Sequence, residues 1–126
     1  MKQVVLTDAA PAPVGPYSQA IKAGGWLYVS GQIPIDPKTG EMVGPDIGLQ
    51  TRRALDNLVA VLKAAGADVA DVVKTTVFMT DLAQFSAMNE VFAEYFGEAP
   101  PARACVQVAA LPKGSLVEIE CIARTE

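Results

Sequence analysis

The chain has 126 residues, 51% of them hydrophobic and 19% charged, with ten basic against fourteen acidic side chains and a formal net charge of −4. That length and apolar content support one domain with a full core and exclude disorder, and a net negative chain whose largest basic cluster is Arg52-Arg53 has no footprint for a polyanion. The absence of histidine removes the usual metal ligand, the Ser-His and Cys-His pairs and the default general base.

Any chemistry must therefore run on carboxylates, arginine, hydroxyls, thiols and backbone groups. Two cysteines, no leader-like start and no apolar run of membrane-spanning length lead us to expect a cytoplasmic protein with reduced thiols.

In chain order, Gln3 to Leu6 is β-prone and is followed by prolines 11, 13 and 16, which exclude helix. Residues 18 to 23 and 26 to 30 read as two strands around the Gly24-Gly25 hairpin signal. In the second of them Trp26, Tyr28 and Ser30 face one way, Leu27 and Val29 the other. Gly31 then breaks the strand at a place where a backbone can approach a ligand closely. Asp36 to Gly40 is a turn.

Residues 46 to 65 form the clearest helix, started by Pro45-Asp46 and stopped by Gly66, with Leu55, Leu58, Val59, Leu62 and Ala65 at helical spacing. The β-branched run Val72 to Thr80 is a strand. Asp81 and Gln84 have capping-box spacing and open a second helix that ends at Gly97, with Phe85, Met88, Phe92, Tyr95 and Phe96 inward. Pro100-Pro101 lead into a strand on which Arg103, Cys105 and Gln107 share one face. Leu116 to Arg124 is the last strand, with Val117, Ile119, Cys121 and Ala123 on an apolar face and Glu118, Glu120 and Ile122 on the other.

The resulting order, β-β-β-α-β-α-β-β, implies two helices layered on one face of a sheet of about six strands, an α+β architecture over residues 1–126. Two helices leave the second face bare, and covering it calls for other copies of the chain, hence a homo-oligomer.

Several of the candidate site residues carry two readings. Arg103, flanked by alanines, suits both a surface ion pair and a clamp for a small carboxylate, since a planar guanidinium binds carboxylates with two hydrogen bonds. Cys105 reads as a small buried hydrophobe, with a nucleophilic thiolate as the lesser alternative because no histidine is present to activate it, and Cys121 reads as core. Glu118 and Glu120 share a face, where they pair with a cation such as Arg103, Lys74 or Arg124, or else one carries a raised pKa and fixes a water. Tyr17, Ser30 and Gly31 are loop and strand-end positions. Asn89 is either an exposed helix residue or one that reaches into a site.

The segments Gly15-Pro16-Tyr17-Ser18-Gln19-Ala20, Ser30-Gly31-Gln32-Ile33-Pro34, Gln50-Thr51, Asn57-Leu58, Val72 to Phe78, Asn89, Pro101-Ala102-Arg103 and Val117 to Glu120 together resemble the RidA (YjgF) family of reactive-intermediate deaminases. The resemblance spans nearly the whole chain. It implies a chorismate-mutase-like fold and a homotrimer with clefts between subunits. It also implies hydrolysis of 2-imino acids, such as 2-iminobutanoate and 2-iminopropanoate released by pyridoxal-phosphate dehydratases, without a cofactor or metal.

Carried over, Arg103 would hold the substrate carboxylate and Glu118 would orient a water, with Tyr17, Ser30, Gly31, Asn89 and the Cys105 backbone lining the pocket. Relatives also bring two other readings, a ribonuclease or translation inhibitor and a non-catalytic ligand-binding or chaperone-like trimer. Nucleic acid and membrane are not expected partners.

Overall fold

Residues 1–125 are described in the computed structural model, and within them the apolar periodicities resolve into six strands and two helices. The strands are β1 (Gln3–Val5), β2 (Ala20–Ala23), β3 (Trp26–Gln32), β4 (Val72–Met79), β5 (Ala102–Gln107) and β6 (Val117–Arg124). The helices are α1 (Ile47–Ala64) and α2 (Phe85–Phe96). One mixed sheet runs in the order β1-β2-β3-β6-β4-β5, antiparallel throughout except for the parallel pair β4 and β5. The last strand is thus inserted at the centre, between β3 and β4, and β1 and β5 are the edges.

Local signals explain most boundaries. The Asp46 carboxylate accepts from the Leu49 amide at 2.9 Å, capping α1. Gly66 adopts φ +81° just past its end, a conformation that costs glycine nothing. The strand containing Gly31 does not stop there as expected. It continues to Gln32 through a register shift between Val29 and Gln32, a bulge on the ladder with β6.

The start of α2 also departs from expectation. Asp81 accepts from the Ala83 amide, but Leu82–Gln84 form a separate 3-10 turn and Gln84 gives no side-chain cap. The Leu82 amide instead donates to Gln107 Oε1 on β5 at 2.8 Å, a tertiary partner that local spacing cannot reveal. Phe85, expected inward, sits in that transition and is 36% exposed. Tyr95 is only half-buried, its hydroxyl donating to Asp56 Oδ1 at 2.6 Å.

The core lies wholly between the sheet and the helix layer. Leu55, Leu58, Val61 and Leu62 of α1 and Met88 and Phe92 of α2 pack with Leu27, Val77, Met79, Val117, Ile119 and Ala123. The opposite sheet face has no helix over it. Cross-strand register places Val4, Ile21, Tyr28 and Ile122 in one apolar row across β1, β2, β3 and β6 on that face. Val4 and Tyr28 remain 59% and 47% exposed there. No helix among the described residues is long and apolar enough to cross a membrane.

Candidate active site

Arg103 stands on an edge strand, and its register partner on β4 is the fully buried Thr75. Neighbouring residues on paired strands point to the same face, so the Arg103 side chain projects toward the helix layer. Asn89 of α2 accepts from Arg103 Nη1 at 2.7 Å. The guanidinium carbon lies 4.8 Å from the centre of the Phe92 ring and 5.4 Å from that of Phe85, so two aromatic faces hold the fork in place. Asn89 is therefore the arginine's positioning partner rather than a solvated helix residue. Among the described residues no carboxylate pairs with Arg103. The one ion pair among the described residues joins Arg52 to Glu94 at 2.9 Å.

The next two residues on that face are spoken for. Cys105 packs against the core with its Sγ 3.7 Å from Met79 Sδ. Burial pushes its thiol up, against the smaller opposing pull of Arg103. A thiol held protonated is a poor nucleophile, so the sulfur's role is packing. Cys121 is more buried still, and burial raises it to about 12. Gln107 tethers the start of the turn before α2.

Glu118 lies on the other face of the sheet. Its β6 neighbours Val117 and Ile119 are buried under the helices, so Glu118 and Glu120 point away from them. A groove of about 350 Å3 forms here, and Tyr17, Ser30, Gly31, Glu118 and Glu120 line it together. Ser30 is fixed by its hydroxyl donating to the Ser18 carbonyl at 2.6 Å. Gly31 is required by contact. A Cβ there would lie 2.5 Å from Glu118 Oε2 and 2.7 Å from its carboxyl carbon, so the carboxylate rests directly on the glycine backbone.

Burial, and secondarily the Glu120 charge, raise the Glu118 pKa above the ordinary carboxylate value. The folded state therefore binds the Glu118 proton more tightly than the unfolded chain does. The stabilisation this gives is complete below the unfolded value and is lost as pH rises through the folded one. At neutral pH the ionised group is a net burden, so Glu118→Gln is expected to raise the midpoint of thermal unfolding at pH 7 and to lose that advantage near pH 4. Unfolding scans at the two pH values check this, and an equal shift at both would contradict it.

The residues singled out in the sequence thus fall into two separate clusters, Arg103 with Asn89 on the helix face and Tyr17, Ser30, Gly31 and Glu118 on the bare face. The pairing of Glu118 or Glu120 with Arg103 allowed by sequence does not occur. Arg103 and the two glutamates stand on strands separated by β4, whose axes are roughly 10 Å apart, with Glu118 three residues further along the register and the side chains on opposite faces. Among the described residues no three His, Cys, Asp or Glu side chains converge as a metal site would require.

One supporting residue figures in the sequence only as part of the family resemblance and was given no role there. Asn57, wholly buried in α1, donates to the carbonyls of Ile33 at 3.1 Å and Ile35 at 2.9 Å and accepts from Arg53 at 2.8 Å. It pins the segment that follows Gly31. The available signal was an amide three residues after Ala54 and four before Val61, in the middle of the apolar stripe.

The family model described as endoribonuclease L-PSP matches residues 7–125. The chain belongs to this family, which is also known as YjgF/RidA. Within it, the chain is 59% identical to a RutC family protein of Pyrococcus horikoshii, with all of both chains covered. It is 50% identical to the chloroplastic Reactive Intermediate Deaminase A of Arabidopsis thaliana over 97% of this chain and 65% of that one. Among solved structures, RidA from the Antarctic bacterium Psychrobacter superposes with a TM-score of 0.94 at 49% identity, covering 97% of this chain and 98% of that one. E. coli TdcF with bound serine gives 0.94 at 45% identity, covering 98% and 99%. The two-helix, six-stranded fold of this Rid-family chain is the fold of those structures.

Proposed function

We propose that this Rid-family protein hydrolyses small 2-imino acids to 2-oxo acids and ammonia, in clefts where the Arg103 half-site of one subunit meets the Glu118 half-site of another. The observation that carries the reading is the guanidinium of Arg103, held by Asn89, Phe85 and Phe92 and without a carboxylate partner among the described residues. A fixed, unneutralised fork is suited to a substrate carboxylate. The relative solved with serine, and the relative named as a reactive intermediate deaminase, agree with a ligand of this class.

The division of the two half-sites between sheet faces is the reason for two subunits. A three- or four-carbon imino acid cannot reach across a sheet. The free edge of β5 carries one half-site, and the apolar row on the bare face offers surface that a homotrimer would cover.

The chemistry then follows from positioning. Arg103 fixes the carboxylate, which places the imine carbon. Glu118, with raised proton affinity, accepts a proton from water as its oxygen attacks that carbon. The tetrahedral intermediate gives up its nitrogen, and the overall balance is iminium plus water to ketone plus ammonium. The iminium is already electrophilic, so no nucleophile stronger than oriented water is required. Tyr17, Ser30 and the Gly31 backbone wall the cleft around Glu118.

The family's descriptive name favours a second reading, an endoribonuclease. A net charge of −4 and a chain without histidine weigh against it. Ammonia release from freshly generated 2-iminopropanoate and 2-iminobutanoate, above the spontaneous rate, is the expected result. No acceleration of either imino acid, together with salt-sensitive cleavage of RNA, would overturn the deaminase reading.

A further inference from the structure

We propose that the groove beside Arg103 receives the side chain of the substrate, and that Ala93 sets how large an apolar side chain it takes. The inference rests on the deaminase reading and extends it to specificity. Asn89 and Ala93 lie four residues apart on α2 and so share the face that looks toward the start of β5, with Gly97 just past the helix end beside them. Between them and Pro100-Pro101 lies a groove of about 480 Å3, a size ordinary for small-molecule sites.

Its walls are apolar, formed by Phe92, Phe96, Pro100 and Pro101, and Arg103 stands at its margin as a fixed cation. Two adjoining features of one groove, a free positive charge and an uncharged hydrocarbon wall, complement a carboxylate bearing an apolar tail. In a 2-imino acid the side chain starts one bond from the carbon that carries the carboxylate. A carboxylate seated on Arg103 therefore brings the first side-chain carbons to the groove.

The small Ala93 leaves the width for branched or aromatic groups. Acidic side chains are disfavoured, because with Arg103 engaged by the substrate's own carboxylate the remaining walls of Phe92, Ala93, Phe96, Pro100 and Pro101 offer no partner to replace their water. The occupant is thus a 2-imino or 2-oxo acid with an apolar side chain.

The test generates imino acids from alanine, leucine and phenylalanine with an amino-acid oxidase and compares the intact wild-type protein with Ala93→Leu. Leucine is a good helix former at this exposed position, so the variant should fold. The expected result is a fall of about tenfold or more in the phenylalanine-to-alanine ratio of kcat/KM, the scale on which a filled hydrophobic pocket discriminates. A ratio unchanged within twofold overturns the proposal.

A parallel measurement does not depend on turnover. 4-Methyl-2-oxopentanoate should raise the unfolding temperature of the wild type more than pyruvate does, and Ala93→Leu should erase the difference. If the wild type releases no ammonia yet shows this ligand preference, the deaminase reading fails and the groove stands. If ammonia is released but neither ratio nor preference moves, the groove fails alone. A changed oligomeric state in Ala93→Leu would make the groove a contact between copies and would also overturn it.

Discussion

Arg103→Ala is expected to lower kcat/KM for 2-iminopropanoate roughly a hundred- to a thousandfold, the loss of two charge-assisted hydrogen bonds at about 1.5–2 kcal/mol each. The fold should survive, because the guanidinium's partners are the Asn89 amide and two aromatic rings rather than a buried charge that would be left unpaired. Arg103→Lys separates charge from shape. It keeps a cation but loses the planar fork, so its activity should fall between the two. Steady-state assay of the three proteins, with oligomeric state measured alongside, decides the matter. An alanine variant of native assembly and undiminished kcat/KM would remove Arg103 from the site.

Gly31→Ala should be nearly as damaging, for a different reason. Gly31 is not among the positive-φ glycines, so the added methyl meets no backbone strain. It meets Glu118, whose Oε2, carboxyl carbon and Cγ would lie 2.5, 2.7 and 2.9 Å from it. A flexible side chain can swing aside, so the chain folds but the carboxylate leaves its seat. The rate should fall by about a hundredfold, the lower end of what a positioned general base contributes. Because Arg103 is untouched, binding of a 2-oxo acid should persist.

The deciding comparison is a double-mutant cycle. If Gly31 acts through Glu118, Gly31→Ala should cost little further activity in a Glu118→Gln background. Full additivity of the two losses would mean that Gly31 contributes through its own backbone instead.

The elements were legible because each has a local cause. Asp46 and Gly66 bracket α1, and the alternation in β6 marks its buried face from Val117 to Ala123. The placement of Glu118 on the helix-free face follows from that alternation alone. What sequence could not convey is order and facing. Nothing local tells β6 to sit between β3 and β4, and nothing local turns Arg103, Cys105 and Gln107 of β5 toward the helices while Ala104 and Val106 face outward.

That facing runs against the usual inward preference of apolar residues, and it is sustained by partners remote in sequence: Asn89, Met79 and the Leu82 amide. The capping box failed for the same reason, since Gln107 engages the turn that Gln84 was expected to close. Residue spacing finds the groups, and tertiary register assigns them to faces.

The ends of the sheet have a consequence for life at high protein concentration. An unpaired strand edge offers free amides and carbonyls to any passing strand and so seeds fibre-like aggregation. Here one edge, β1, is only three residues long, Gln3–Val5. The other, β5, begins directly after Pro100-Pro101, whose nitrogens carry no hydrogen to donate. The prolines that lead into the strand bearing Arg103 thus also shorten the template it presents, which guards the newly made chain against runaway strand addition.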